Sequence, residues 1–487
     1  MPVSILRVLW RHELTLLYRN RVLVTLFSLI LALLLASLWI GSSLLRQQHR
    51  TIGRIRAHGV EQTDSLKTRI RRVEAAGMRY PGFIWDDPTF AYNTARNEGP
   101  QYAVKQPFPL QVLATGQSDV QPFYYKVYIN RKQYLVHESE IDNGFLQFVG
   151  TFDFAFVVIY LLPLLIIVFT YNVLSSEKEQ GTWVLLKTSN LSIARLLLYR
   201  IGIRYGLFGG FFWLIVGPVL ALLIGPGFLA TGNWWWLVGF VSLYLAFWFA
   251  AAFWVNSFSF SSTVNAMTLI FGWLVLGLLV PNLLQIGLDR TYPIPSRITL
   301  STDERNAINN YFKKDGQLLT QDVFSNPRTQ IRQASVVTPG MVYGYGVIVY
   351  KSQEIKDQAT RIAERRLYGQ IEQQQEAIRR WQLISPALMM QEVLSALAGT
   401  HWHQFNQFSL DVDQFRLQQQ HFFYPKMASE QTFRTFTTAD ADAIPRFAPK
   451  VYAEYGWLHV GQALLLYAGV VVGVLVLGFR RLTHASR

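Results

Sequence analysis

The chain has no cysteine among its 487 residues, which excludes disulfides and thiolate metal sites. Charge is scarce as well, at 16% of residues, and acidic groups are the scarcer kind: 31 Asp and Glu against 45 Lys and Arg. The nucleotide-phosphate loop G-x-x-x-x-G-K-S/T is missing, so the chain does not hydrolyse ATP by that route. It also lacks a G-x-S-x-G elbow and an H-E-x-x-H helix. The closest histidine pair, His401 and His403, has no third ligand beside it in sequence. No catalytic constellation remains, and an enzyme is not expected.

What fills the chain is apolar. Half of it (51%) is hydrophobic, and aromatic residues reach 14%. Charge disappears altogether over four long gaps: Arg21 to Arg46, Asp153 to Glu177, Tyr205 to Leu288, and Glu454 to Arg480. About 20 apolar residues suffice to cross a bilayer as a helix. The third gap is long enough for three crossings, divided at GPGFLATGN and NSFSFSSTVN. The fold class expected is therefore an all-α polytopic membrane protein with spans at 22–45, 153–174, 203–225, 234–255, 265–287 and 457–479. The first run lacks a small-residue cleavage site and reads as a retained anchor.

Basic residues orient the spans. Arg7, Arg11, Arg19 and Arg21 precede the first, and Lys178, Lys187, Arg195, Arg200 and Arg204 lie between the second and third. Arg480, Arg481 and Arg487 follow the last. Six crossings bring the three clusters to one side, which the positive-inside rule makes cytoplasmic. The net charge of +14 is thus accounted for by the inner interface and its anionic lipids, without nucleic acid. Residues 1–21 read as an amphipathic interfacial helix and 480–487 as a cytoplasmic tail. Segments 46–150 and 288–456 fall outside. The first is expected to be α/β, with a helix over Ile52–Ala76 and a hairpin over Phe123–Val136 turning at Asn130-Arg131-Lys132. The second is expected to be mainly helical, with an irregular apolar stripe from Ile355 to Trp381. After Pro386, ALMMQEVLSALAG is apolar enough to lie against the bilayer or to line a substrate path.

Between the second and third spans, residues 175–200 form a charged island. The string NVLSSEKEQGTWVLLKTSNLSIARLLLYR resembles the coupling segment of type-two ABC exporter permeases, E-x-E-x-G-T-x-x-x-L-x-x-S/T-x-x-S/T. The matching positions are Glu177, Glu179, Gly181, Thr182, Leu186, Ser189 and Ser192. The family's usual proline is replaced by Asn190. GTFDFAFVVIYLLPLLII, VNAMTLIFGWLVLGLLVPN, Pro295-Ser296-Arg297 and SPALMMQEVLSALAGT are similar to the branch with large extracytoplasmic loops, the copper-enzyme-maturation (nitrous oxide reductase accessory) permeases.

The resemblance implies a permease subunit in the inner membrane of a bacterium, with N- and C-termini cytoplasmic and the large domains periplasmic. It implies ABC ATP-binding subunits as partners, a second permease copy or paralogue, and export of a substrate. ATP and magnesium would sit in the partner, and this chain would carry no cofactor and no metal. Residues 175–200 would then be a cytoplasmic coupling helix whose exposed carboxylates meet the ATPase. A translocation path would involve Asp153, Pro163, Pro281 and Asn282, by their place at a span mouth or at kinks. The large outer mass supports another reading, a non-transporting mechanotransmitter or scaffold acting on a periplasmic partner protein.

Overall fold

The computed structural model describes residues 3–97, 101–115, 122–130, 152–183, 192–294, 339–452 and 457–485, and residues 302, 305, 306, 309, 310 and 313. Six of the described helices are long and apolar enough to cross a membrane, as the charge gaps require. The protein is membrane-embedded and mainly helical. One end of the bundle carries the chain's N-terminal helix and the short turns; the other carries the two large segments.

Helix α1 (Val3–Arg19) leads into α2 (Arg21–Ala75) through Asn20, whose side chain accepts from Leu23 N at 3.2 Å and caps the new helix. Helix α2 does not stop at the bilayer boundary. At about 1.5 Å per residue its 55 residues extend roughly 80 Å, against about 30 Å of hydrocarbon. The expected span 22–45 and the expected helix from Ile52 are therefore one continuous rod. Beyond it come α3 (Ala91–Asn97) and an antiparallel ribbon of β1 (Gln101–Val104) and β2 (Tyr124–Val127).

The first half of the expected hairpin pairs with an upstream strand. Tyr124–Val127 pairs with the upstream strand in the register Gln101 to Val127 and Val104 to Tyr124. Residues 131–136, which would have returned from the Asn130-Arg131-Lys132 turn, lie outside the described residues. Tyr125 and Val127 face a cluster with Phe408, Val412 and Phe415, and this packing selects the face and the register.

The remaining spans are α4 (Phe154–Glu179), α5 (Ile193–Ile224), α6 (Gly232–Asn256), α7 (Ser262–Thr291) and, closing the bundle, α12 (Trp457–Ala485). The second large segment adds α8 (Pro339–Trp381), α9 (Pro386–Ala398), α10 (Trp402–Ala428) and α11 (Thr438–Ala443). Helix α8 buries Met341 and Val342 but then Gln353, Thr360 and Gln374, and its terminal Trp381 is exposed. Its inner face is thus largely polar, which is why the apolar stripe reads as irregular. His401 caps α10, its ring accepting from His403 N at 3.1 Å while Nε2 meets Glu392 at 2.7 Å. No cluster of three metal-ligating side chains occurs among the described residues.

Helix α9 is set among the spans. Its Met389, Met390, Val393, Leu394 and Leu397 belong to the same buried cluster as α4 and α6. Two span prolines explain what it touches. In α4 the stretch Val157–Leu161 is π-helical just before Pro163, and in α7 Val275–Leu279 is π-helical just before Pro281. Proline lacks the N–H that would satisfy a carbonyl one turn back, and a bare carbonyl in hydrocarbon costs several kcal/mol, so another donor must serve. Tyr244 on α6 donates to Ile159 O at 2.6 Å, and Ser385, the N-cap of α9, donates to Leu276 O at 2.6 Å. Asn282 bonds back to Leu278 O at 2.7 Å.

One close approach fixes α2 against the segment beyond β1. A Cβ on Gly41 would lie 2.5 Å from the Val112 carbonyl oxygen, a backbone atom that cannot swing away. Gly41→Ala is expected to lower the thermal midpoint in detergent, at a cost of about 1–3 kcal/mol for overpacking. Gly59→Ala, on the same helix with open space around it, should leave it unchanged or slightly raised. Equal midpoints for the two variants would refute the contact.

Candidate functional site

The charged island begins as the last turn of a span. Helix α4 is interrupted over 171–174 and resumes as Ser175–Glu179, just before Gly181. Gly181 has φ +77°, a left-handed conformation that glycine adopts without strain, and it ends the helix. Ser192 precedes α5, which already includes residues 193–200 of the island. Leu186 and Ser189 lie outside the described residues.

The interruption leaves the carbonyls of Phe169, Thr170, Tyr171 and Val173 without the regular helical bonds, and side chains from three helices satisfy them. Arg204 donates to Phe169 O; Asn256 donates to Thr170 O at 3.0 Å. Asn265 donates to Tyr171 O at 3.1 Å, and Arg200 to Val173 O at 3.2 Å. Irregular backbone at this depth persists where protein groups replace the missing partners. Helices α5, α6 and α7 thus hold the joint between α4 and the island.

Charge closes the same joint. Arg204 Nε lies 2.7 Å from the Glu13 carboxylate, and Arg200 Nη2 lies 2.7 Å from Glu177. Arg200 Nε also stands 3.5 Å from Glu13, whose side chain is wholly buried. Two arginines and two carboxylates form a neutral group that ties α1 to α4 and α5. Thr182 adds hydrogen bonds to the Glu177 carboxylate and, at 3.0 Å, to its backbone carbonyl.

On the other flank the island is latched to the turn between α6 and α7. Glu179 accepts from Ser262 N and Ser262 Oγ, each at 2.9 Å, and so caps α7. Ser175 and Ser262 share a hydroxyl contact at 2.7 Å. Lys178 donates to Ser259 O at 2.9 Å and lies 4.8 Å from the centre of the Trp183 ring. Ser259 has φ +60°, an uncommon conformation for a residue with a side chain, and the lysine holds its carbonyl.

Glu177 and Glu179 both bond within the chain, and Glu179, Gln180 and Gly181 are the exposed described residues at the tip of the island. Sequence reasoning missed Glu13, Asn256, Asn265 and Ser262 and counted Arg200 and Arg204 only as inner-side charges. The available signal was that Arg200 and Arg204, one turn apart, continue directly into an apolar span, where ionised groups require partners.

Asp153, at the opposite end of α4, is an N-cap. Its carboxylate accepts from Phe156 N at 2.8 Å and from Thr115 N at 2.9 Å and Thr115 Oγ1 at 3.1 Å. Pro163 and Pro281 shape kinks whose exposed carbonyls are bonded as described above.

A family model described as Domain of unknown function (DUF3526) matches residues 298–450. That stretch covers the greater part of the second large segment, including α8 to α11, and ends before the last span. No curated protein matches the chain, and no solved structure does.

Proposed function

We propose that this protein is the membrane permease subunit of an ABC transporter, coupling ATP hydrolysis in a separate ATPase subunit to export of a substrate across the inner membrane. The observation that carries this reading is the Glu-x-Glu-x-Gly-Thr turn itself. Its two carboxylates, its glycine and its threonine are used to build a rigid, protruding turn at the junction of four helices. A partner pressing on Gln180 and Gly181 would move α4 and, through Glu177–Arg200 and Glu179–Ser262, α5 and α7. The chain has no phosphate loop, so the nucleotide and its magnesium would belong to that partner. The assembly would contain two ATPases and two permeases, the second permease being a copy or a paralogue. The turn end would face the cytoplasm, and the two large segments, the first α/β and the second mainly helical, would stand in the periplasm.

Gln180 provides the test. It is exposed, has ordinary helical φ and ψ of −88° and 0°, and its side chain makes no bond to a described residue. Gln180→Trp should keep the thermal midpoint of the permease yet abolish co-purification with its cognate ATPase. A folded variant that still holds the ATPase with unchanged ATP turnover would overturn the docking role.

A second reading is favoured by one specific feature. Helix α2 runs unbroken from the α1 elbow far into the outer segment, where Lys67 pairs with Asp442 of α11. Such a rod would transmit motion of α1 and α4 to the outer domains as a mechanotransmitter, with no solute crossing. ATP-dependent solute accumulation in proteoliposomes containing the complex separates the two, since a mechanotransmitter would give none.

A further inference from the structure

Where α2 leaves its apolar run it carries a charged stretch that takes no part in the turn at Ser175–Thr182. Gln48, Ile52, Thr63 and Leu66 are buried and define the face of the helix that packs inward. At about 100° per residue, the face directly opposite carries Arg46, Arg50, Gly53, Arg54 and Ala57. All five are exposed, and Arg56 is exposed at the margin of the same face. No acidic residue occurs on α2 before Glu61.

Packing among the described residues accounts for neither the charge nor the glycine. The side chains of Arg46, Arg50, Arg54 and Arg56 make no hydrogen bond or ion pair there. Arg46, Arg50 and Arg54 stand at successive i, i+4 positions, where like charges repel and weaken a helix. Gly53 weakens it further, yet a Cβ at that position would meet nothing within 4 Å. Two properties of the face select what fits it. The first is height. Arg46 is the first charge after the span, and Arg54 and Arg56 follow about 12 and 15 Å further along the helix. Head groups occupy only about 5–8 Å on each side of the hydrocarbon. Lipid phosphates therefore reach the base of the row and not its top. The second is shape. Gly53 and Ala57, one turn apart, leave a shallow notch between Arg54 and Arg56 that a polypeptide backbone can approach closely. A second copy meeting this face about a two-fold axis would set arginine against arginine.

We propose that this face of α2 docks an acidic polypeptide segment of a partner protein. Its carboxylates pair with Arg46, Arg50, Arg54 and Arg56, and its backbone is seated on Gly53 and Ala57. A guanidinium group meets a carboxylate through two parallel N–H···O bonds, so four of them along one face select a run of Asp and Glu. This contact stands apart from the ATPase-docking role, which concerns the opposite end of the bundle.

The probe is a rhodamine-labelled octaglutamate, titrated with the full-length protein in a neutral maltoside detergent and followed by fluorescence anisotropy. Saturable binding is expected, weakening as salt rises. Arg50→Gln with Arg54→Gln should raise the Kd about tenfold, as for loss of two exposed ion pairs. Arg365→Gln with Arg366→Gln removes the same charge from exposed positions of α8 and should leave the Kd nearly unchanged. Gly53→Leu keeps every arginine but fills the notch, and it should also weaken binding. Thermal midpoints of the α2 variants should equal or exceed that of the wild type, because like-charge repulsion or a helix glycine is removed. Equal losses in the two double variants would show a response to net charge alone and would overturn the proposal. Displacement of the peptide by dihexanoyl phosphatidylglycerol, at concentrations where free glutamate of the same charge has no effect, would assign the row to lipid head groups and overturn it likewise. So would the absence of saturable binding at low salt.

Discussion

Glu13→Ala is expected to destabilise the protein by about 3–5 kcal/mol, the cost of removing one partner from a buried ion pair. Glu13 is fully buried between Arg204 at 2.7 Å and Arg200 at 3.5 Å. Its loss leaves two buried guanidinium groups facing one remaining carboxylate, that of Glu177. Glu13→Gln keeps an acceptor for Arg204 Nε and should cost less, though it forfeits the charge. Glu13→Leu combined with Arg204→Met should recover much of the loss, because a buried pair can be replaced by apolar groups at little net cost. The Phe169 carbonyl would still need its donor, so recovery should be incomplete. Thermal unfolding in detergent checks the series. A Glu13→Ala midpoint equal to wild type would show that α1 is not anchored through this group. The same substitution bears on the proposed docking role, since α1 is joined to the Ser175–Thr182 turn through Glu13, Arg200 and Glu177.

That anchor was not legible in the sequence, and the reason is physical. Glu13 sits on an amphipathic helix among Arg11, His12 and Arg19, where a lone carboxylate reads as part of a solvated face. Only the fold of α1 back against α5 brings it to Arg204, 191 residues away. The spans were legible because a bilayer tolerates few unpaired charges, so gaps in charge report the crossings directly. Their internal distortions were legible only in part. Pro163 and Pro281 announce kinks, but the π-helical turns and the donors Tyr244 and Ser385 depend on which helices become neighbours. The ribbon shows the same limit. Tyr124–Val127 alternates as a strand should, whereas its partner is chosen by the packing of Tyr125 and Val127 on Phe408 and Val412. At the Ser175–Thr182 turn the pattern Glu177, Glu179, Gly181 and Thr182 falls on residues that bond to neighbouring helices or end one. It said nothing of Asn256, Asn265 and Ser262, whose amides and hydroxyl look like ordinary turn residues until α6 and α7 pack beside α4.

Arg416→Met is expected to produce the second large loss, again about 3–5 kcal/mol, this time in the second large segment. Arg416 is 1% exposed and lies 3.0 Å from Asp357 on α8 and 3.0 Å from Asp413 on its own helix. Gln420 and Tyr424, further along α10, bond to Ile129 O at 2.7 and 3.1 Å and bring the end of the ribbon into the same group. The two carboxylates hold the Arg416 guanidinium above its ordinary range despite its burial. Without the arginine, the carboxylates of Asp357 and Asp413 would lose their shared partner and be left uncompensated in a partly buried setting. Arg416→Met with Asp357→Leu should therefore show a smaller deficit than Arg416→Met alone. Limited proteolysis provides a local readout, since loosening α8 from α10 should expose α8 to cleavage before the spans unfold. An Arg416→Met variant with the wild-type midpoint, or a double variant no more stable than the single one, would refute the role given to this group. All three charges lie within residues 298–450, the stretch matched by the family model, so the test also asks what holds that domain together.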